Sequence, residues 1–202
     1  NRADVLVHGY YENIEPTDSL GFTLQLVMDE KYVMPLYGKQ TKAVLMKSCP
    51  FDINDFTGYC VLTSMFLYNY NSNGSYQRLV YTEKHPTEPN TIICRNWIND
   101  GYDVTMTFNA SDPMKPVVTM DKGQVASDEG SFFGISYGDD KLLVTHSSLN
   151  ESIFYPCGRY MFIWTEMYVE NLGVPVGTVG HFYNIMEWVS DEEGERLKKE
   201  GM

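Results

Sequence analysis

Alanine occurs only four times in this chain of 202 residues, at Ala3, Ala43, Ala110 and Ala126, whereas Tyr occurs 15 times and Phe 10 times. The best helix former is nearly absent, and residues that suit a pleated, half-buried surface are abundant. An all-β fold is expected: an antiparallel β-sandwich or barrel with hairpins, ending in a short charged helix or tail. With 43% apolar residues the chain can bury a substantial core. The expected division is a β-rich binding domain over 1–189 and an acidic extension over 190–202.

The local patterns place the strands. "FTLQLVMDEKYVMPLYG" sets Phe22, Leu24, Leu26 and Met28 on one face, turns through Asp29, Glu30 and Lys31, and returns through Tyr32, Val33 and Met34, which reads as a hairpin. "VLTSMFLYNYNSNGSYQRLVYTE" reads as a second, with Asn71 to Gly74 as the turn. "YDVTMTFNASDP" alternates Val104, Met106 and Phe108 with threonines, and "KLLVTHSS" reads as a further strand. In "GRYMFIWTEMYVEN" both faces are apolar apart from Glu166, so a central strand buried on both sides is expected.

Charge narrows the partners. The net charge is −12, and the excess of acids extends well beyond the carboxy-terminal residues. A phosphate backbone or an anionic lipid surface calls for the opposite sign, so nucleic acid is excluded as a partner and membrane association is disfavoured. No apolar stretch approaches the roughly 20 residues that span a bilayer, so no membrane insertion is expected. The amino end shows no basic start followed by an apolar run, which suggests a processed leader or an excised domain.

The motifs that would carry chemistry are each incomplete. "GISYG" around Ser136 has the spacing of a serine nucleophile elbow, but that elbow needs a following helix, and a strand-like "KLLVTH" comes after it. His8, His85, His146 and His181 share no metal-ligand spacing, and "DINDFTG" lacks the alternating ligands of a calcium loop. Cys49, Cys60, Cys94 and Cys157 form no close pair, so disulfides and buried thiols both remain open. Three Asn-x-Ser sequons, at Asn73, Asn109 and Asn150, are no more than chance supplies. The chain is therefore expected to be no enzyme and to use no cofactor and no metal.

Tyrosines gather near turns and strand ends: Tyr10, Tyr11, Tyr68, Tyr70, Tyr76, Tyr81, Tyr137 and Tyr155. Tyrosine presents a large rigid face with a polar tip, which suits recognition. Tyr68, Tyr70, Tyr76 and Tyr137 are the expected binding residues. The end of the chain, "EWVSDEEGERLKKEGM", reads as a short helix: Ser190 stands three before Glu193, acids fill the first turn and lysines the last. With Leu197 as its only large apolar residue after Val189, it is expected to be solvated rather than docked.

The layout, carried by "GYYENIEP", "FYPCGRYMFIWTEMY" and the acidic "SDEEGE", resembles the projecting spike domain of an astrovirus capsid protein. That resemblance implies a β-barrel or sandwich core and a homodimer on the virion surface. It also implies attachment to a host cell-surface receptor, protein or glycan, and exposure to neutralising antibodies. It transfers no site residues. A secreted lipocalin-like carrier or immune-evasion protein is the alternative, although the first ninety residues lack the Trp of the usual lipocalin opening.

Overall fold

The computed structural model describes strand backbone at 19–21, 25–28, 32–35 and 42–44, and then residues 50–70, 75–112, 115–127, 141–171 and 174–202. The chain divides into two compact units, Asn1–Ser48 and Cys49–Met202. In the first, β1 (Ser19–Gly21) pairs antiparallel with β4 (Lys42–Val44). Within the same unit, β2 (Gln25–Met28) and β3 (Tyr32–Pro35) form the expected hairpin, with Met28 opposite Tyr32.

The second unit is a closed antiparallel barrel. Eight strands form its wall: β5 (Gly58–Ser64), β6 (Gln77–Lys84), β7 (Thr91–Arg95), β8 (Val104–Asn109), β9 (Val117–Met120), β12 (Ile153–Tyr155), β13 (Tyr160–Asn171) and β14 (Val174–Trp188). They neighbour one another in that order, and β14 pairs with both β13 and β5 to close the circuit. The order is up-and-down, with β10 (Gln124–Ser127) and β11 (Leu142–His146) inserted as an annex. β11 pairs with Thr165–Val169 of β13, beyond the stretch that β12 occupies. The all-β expectation holds in this barrel form.

An eight-stranded barrel is just wide enough for side chains to fill it. Here they do so: Leu62, Ile92, Val104, Met106, Phe154, Met161, Ile163 and Met186 are buried inward-facing members of one core cluster. β5 runs between two plugs. At its start a 3-10 turn, Ile53–Phe56, is capped by Asp52, whose Oδ1 accepts from the Asn54 amide at 2.9 Å, and it drives Phe56 into the core. This is the "DINDFTG" stretch. Phe56 packs against Phe108, Phe154 and Trp188 with ring centroids 4.8, 5.4 and 5.0 Å away. Buried Thr82 is satisfied at both ends, donating to the Phe56 carbonyl at 2.9 Å and accepting from Trp188 Nε1 at 2.8 Å.

At the other end of β5 comes a correction. Met65–Tyr70, read as the continuation of a strand, is a helix, α1. Ser64 Oγ accepts from the Phe66 amide at 3.2 Å, and Phe66 and Leu67 are both buried. Phe66 meets Phe182 edge-on at 5.1 Å. Tertiary burial overrides the β propensity of this aromatic run.

β13 meets its expectation in part. It has neighbours along both edges, and near β11 Met167, Tyr168 and Val169 are all buried, but over its first half only one face is sealed: Met161, Ile163 and Thr165 are fully buried, whereas Tyr160, Phe162 and Trp164 are half-buried. A closed barrel has one interior, so the outer aromatics cover one another. Tyr155 stacks on Tyr160 at 4.7 Å, and Tyr183 stacks on Phe162 at 5.5 Å.

The carboxy-terminal helix α2 (Asp191–Lys199) forms as read, with Ser190 Oγ accepting from the Glu193 amide at 3.2 Å. It is docked, however, not solvated. Leu197 and Gly194 are buried, and α2 packs on β5 and β6. One leucine suffices because Gly194, a residue without a side chain, lets the helix backbone settle onto the ring of Tyr59. Among the described residues no helix is long and apolar enough to cross a membrane.

Candidate recognition cleft on the outer surface

The structure brings two of the four expected binding residues together. Tyr68 on α1 and Tyr76 before β6 stack at 4.7 Å with ring planes 16° apart, and they are 47% and 44% exposed. Tyr70 ends α1, and its side chain lies outside the described residues, as do Tyr137, Ser136 and the rest of "GISYG".

A larger feature lies nearby. Where α2 returns across the outer faces of β5 and β6, it leaves a cleft of about 770 Å³ that reaches Arg95 on β7, within the range of small-molecule sites. One wall is strand surface: Tyr59 on β5 faces its register partner Tyr81 on β6, ring edge to ring face at 5.3 Å. The other wall is the last turn of α2, with Leu197, Lys198 and Glu200. Polar side chains from Ser75, Gln77, Arg78, Arg95, Asn96 and Asp100 complete the lining.

Ion pairs fix most of these groups. Arg78 reaches Asp100 and donates to the Ile98 carbonyl at 3.2 Å. Arg95 sits between Glu83 and Asp103, and these carboxylates hold its guanidinium more firmly protonated than usual. The loop after β7 is held by its own polar groups: Asn96 is in the left-handed region with φ 54°, and its Oδ1 accepts from the Gly101 amide at 2.7 Å. Tyr59 donates its hydroxyl to Glu195 of α2, and that bond, ahead of burial, raises the phenol's pKa. On α2, Arg196 bridges Glu193 and Glu200, each at 2.6 Å, and lowers the pKa of the Glu193 carboxyl.

Serine and histidine do meet on the barrel. Ser147 Oγ lies 2.9 Å from His181 Nδ1, yet Ser147 is buried and its Oγ already accepts from the Leu149 amide. Ser152 Oγ accepts from the Trp164 amide at 2.9 Å and lies 3.4 Å from His146 Nδ1; burial lowers the pKa of that imidazole. Among the described residues no three His, Cys, Asp or Glu side chains gather as a metal site. Cys60 and Cys94 are buried free thiols whose pKa values burial raises, and Cys157 is in a disulfide. The arrangement in the cleft can therefore stack and can donate and accept hydrogen bonds.

Tyr81 was within reach of sequence reading as one of the turn-proximal tyrosines. Tyr59, Arg78, Arg95 and Lys198 were not, because they are gathered by strand register and by the return of α2.

No curated protein matches the chain, and no solved structure does. The family described as a domain of unknown function, DUF4984, matches residues 36–200, which include the whole barrel and α2, and the chain belongs to that family.

Proposed function

We propose that this chain is a non-catalytic recognition module that binds its partner on the outer surface of the barrel, at the cleft between α2 and β5–β7. The observation that carries the reading is the contrast between a barrel interior filled by its own side chains and an outer cleft with exposed aromatic and polar groups. The disulfide at Cys157 favours an oxidising setting, outside a cell or on an outer surface. The attachment role implied by the astrovirus resemblance, on a virion and toward a host receptor, is one setting for such a module. The comparisons lend that setting no support, so the proposal rests on the cleft.

A homodimer belongs to the same proposal. Its contact would use the aromatic outer strip of Tyr155, Tyr160, Phe162 and Tyr183, where apolar contact can offset the repulsion between two chains of charge −12. Light scattering coupled to size exclusion tests it: a mass near 23 kDa at every salt concentration would dismiss the dimer.

The lipocalin-like alternative draws on the up-and-down order of the eight strands. Against it, buried core side chains occupy the interior in which such a carrier would hold its ligand. A panel of glycans and cell-surface proteins, probed with the chain and with Tyr81→Ala, separates the readings. Binding that the substitution abolishes supports outer-surface recognition; binding indifferent to it contradicts the cleft.

A further inference from the structure

The cleft has one wall that belongs to the barrel and one that does not. Strands β5 and β6 are locked into the closed sheet, whereas Leu197, Lys198, Glu200, Gly201 and Met202 reach the cleft only because α2 is docked. What holds α2 there is slight. Of its nine residues only Gly194 and Leu197 are buried. Among the described residues one side-chain hydrogen bond ties it to the barrel, from the Tyr59 hydroxyl to Glu195. Its ion pairs give no hold, because Arg196 makes both of them, at 2.6 Å each, with Glu193 and Glu200 of the same segment. Net charge gives none either: Asp191 to Glu200 carries five acids and three bases, and the rest of the chain is acidic too.

The helix cannot stand alone. Helices shorter than roughly 12–15 residues are marginal in water, and Gly194 weakens this one further. Undocking and unwinding of α2 are therefore one event, which gives up the burial of Leu197 and the Tyr59 bond. The barrel keeps its closure through that event, since β5 retains β6 and β14 as neighbours and the main core cluster contains no residue of α2. Segments with so few buried contacts open locally, at free energies far below that of global unfolding.

We propose that α2 is a detachable wall: it opens as a unit while the barrel stays closed, and each opening dismantles the cleft. This regulation rests on the recognition reading of the cleft, and a ligand held there keeps the helix docked. Hydrogen exchange of the full chain, read amide by amide at neutral pH, tests it. The amides of Gly194 to Glu200 should share one protection factor, roughly 100-fold or more below that of amides at the centre of β13. Glu195→Ala should speed exchange across α2 about fivefold by removing the Tyr59 bond, although alanine is the better helix former and would slow exchange in a free helix. A gradient of exchange running inward from Met202, which is end fraying, would overturn the proposal. So would protection equal to that of β13, or an α2 unchanged by Glu195→Ala. A panel member that binds through Tyr81, added at about tenfold its Kd, should slow α2 exchange roughly tenfold. No slowing would overturn the gating and leave recognition standing. If no partner depends on Tyr81, the recognition reading falls and the gating with it.

Discussion

Gly194 of α2 lies so close to the ring of Tyr59 that a Cβ at position 194 would fall inside the ring's van der Waals envelope. A glycine within a helix is ordinarily a weakness of about 1 kcal/mol relative to alanine. Here it is the condition for docking. Contact at Gly194 lets Leu197 bury itself and brings Glu195 to the Tyr59 hydroxyl.

Gly194→Ala therefore reverses the usual sign. Instead of a gain in helix stability, a loss of about 1–3 kcal/mol is expected from overpacking against Tyr59. Urea unfolding measures it; a stabilised variant would mean that α2 does not rest on β5.

Leu197→Ala should cost about 2 kcal/mol, at the lower end for a buried leucine because the site lies at the surface of the barrel. Deleting 191–202 should lower the melting temperature by several degrees, contrary to what a solvated tail would give. An unchanged transition in both variants would return the helix to solvent.

Alkaline pH should loosen the same contact. Tyr59 has a folded-state pKa raised above the usual tyrosine value, first by its hydrogen bond to Glu195. A group raised in the folded state contributes stability that is fully present below its unfolded pKa, near 10, and is lost as pH rises through the folded value. Stability should thus fall more steeply above pH 10 in the wild type than in Tyr59→Phe. Parallel curves for the two proteins would remove the bond to Glu195 from the energetics of docking.

Thiol titration checks the cysteine arrangement. Cys60 and Cys94 are buried with raised pKa values, so a native sample should react slowly, and a denatured, unreduced one should release two thiols. Four thiols without reductant would contradict the disulfide at Cys157.

The regular parts of the barrel were legible because alternation is local. Val104, Met106 and Phe108 point inward as their spacing dictates, and Asp52 caps the turn that its sequence suggested. α1 escaped because Met65–Tyr70 has the composition of a strand, and the adjacent burial of Phe66 and Leu67 appears only when the end of a barrel needs closing. The docking of α2 had one visible signal, a glycine at 194 in an otherwise favourable helix. The cleft had none, since it depends on Tyr59 facing Tyr81 across β5 and β6 and on a helix that begins more than 100 residues later.

Amide shift mapping of the isotope-labelled chain, titrated with the glycans and protein partners of the panel, tests outer-surface recognition most directly. The perturbed amides should cluster at Tyr59, Gln77, Tyr81, Asn96 and Lys198, with inward-facing Met106, Ile163 and Met186 unmoved. Shifts centred on those core residues, with the cleft silent, would contradict it and make the barrel a carrier.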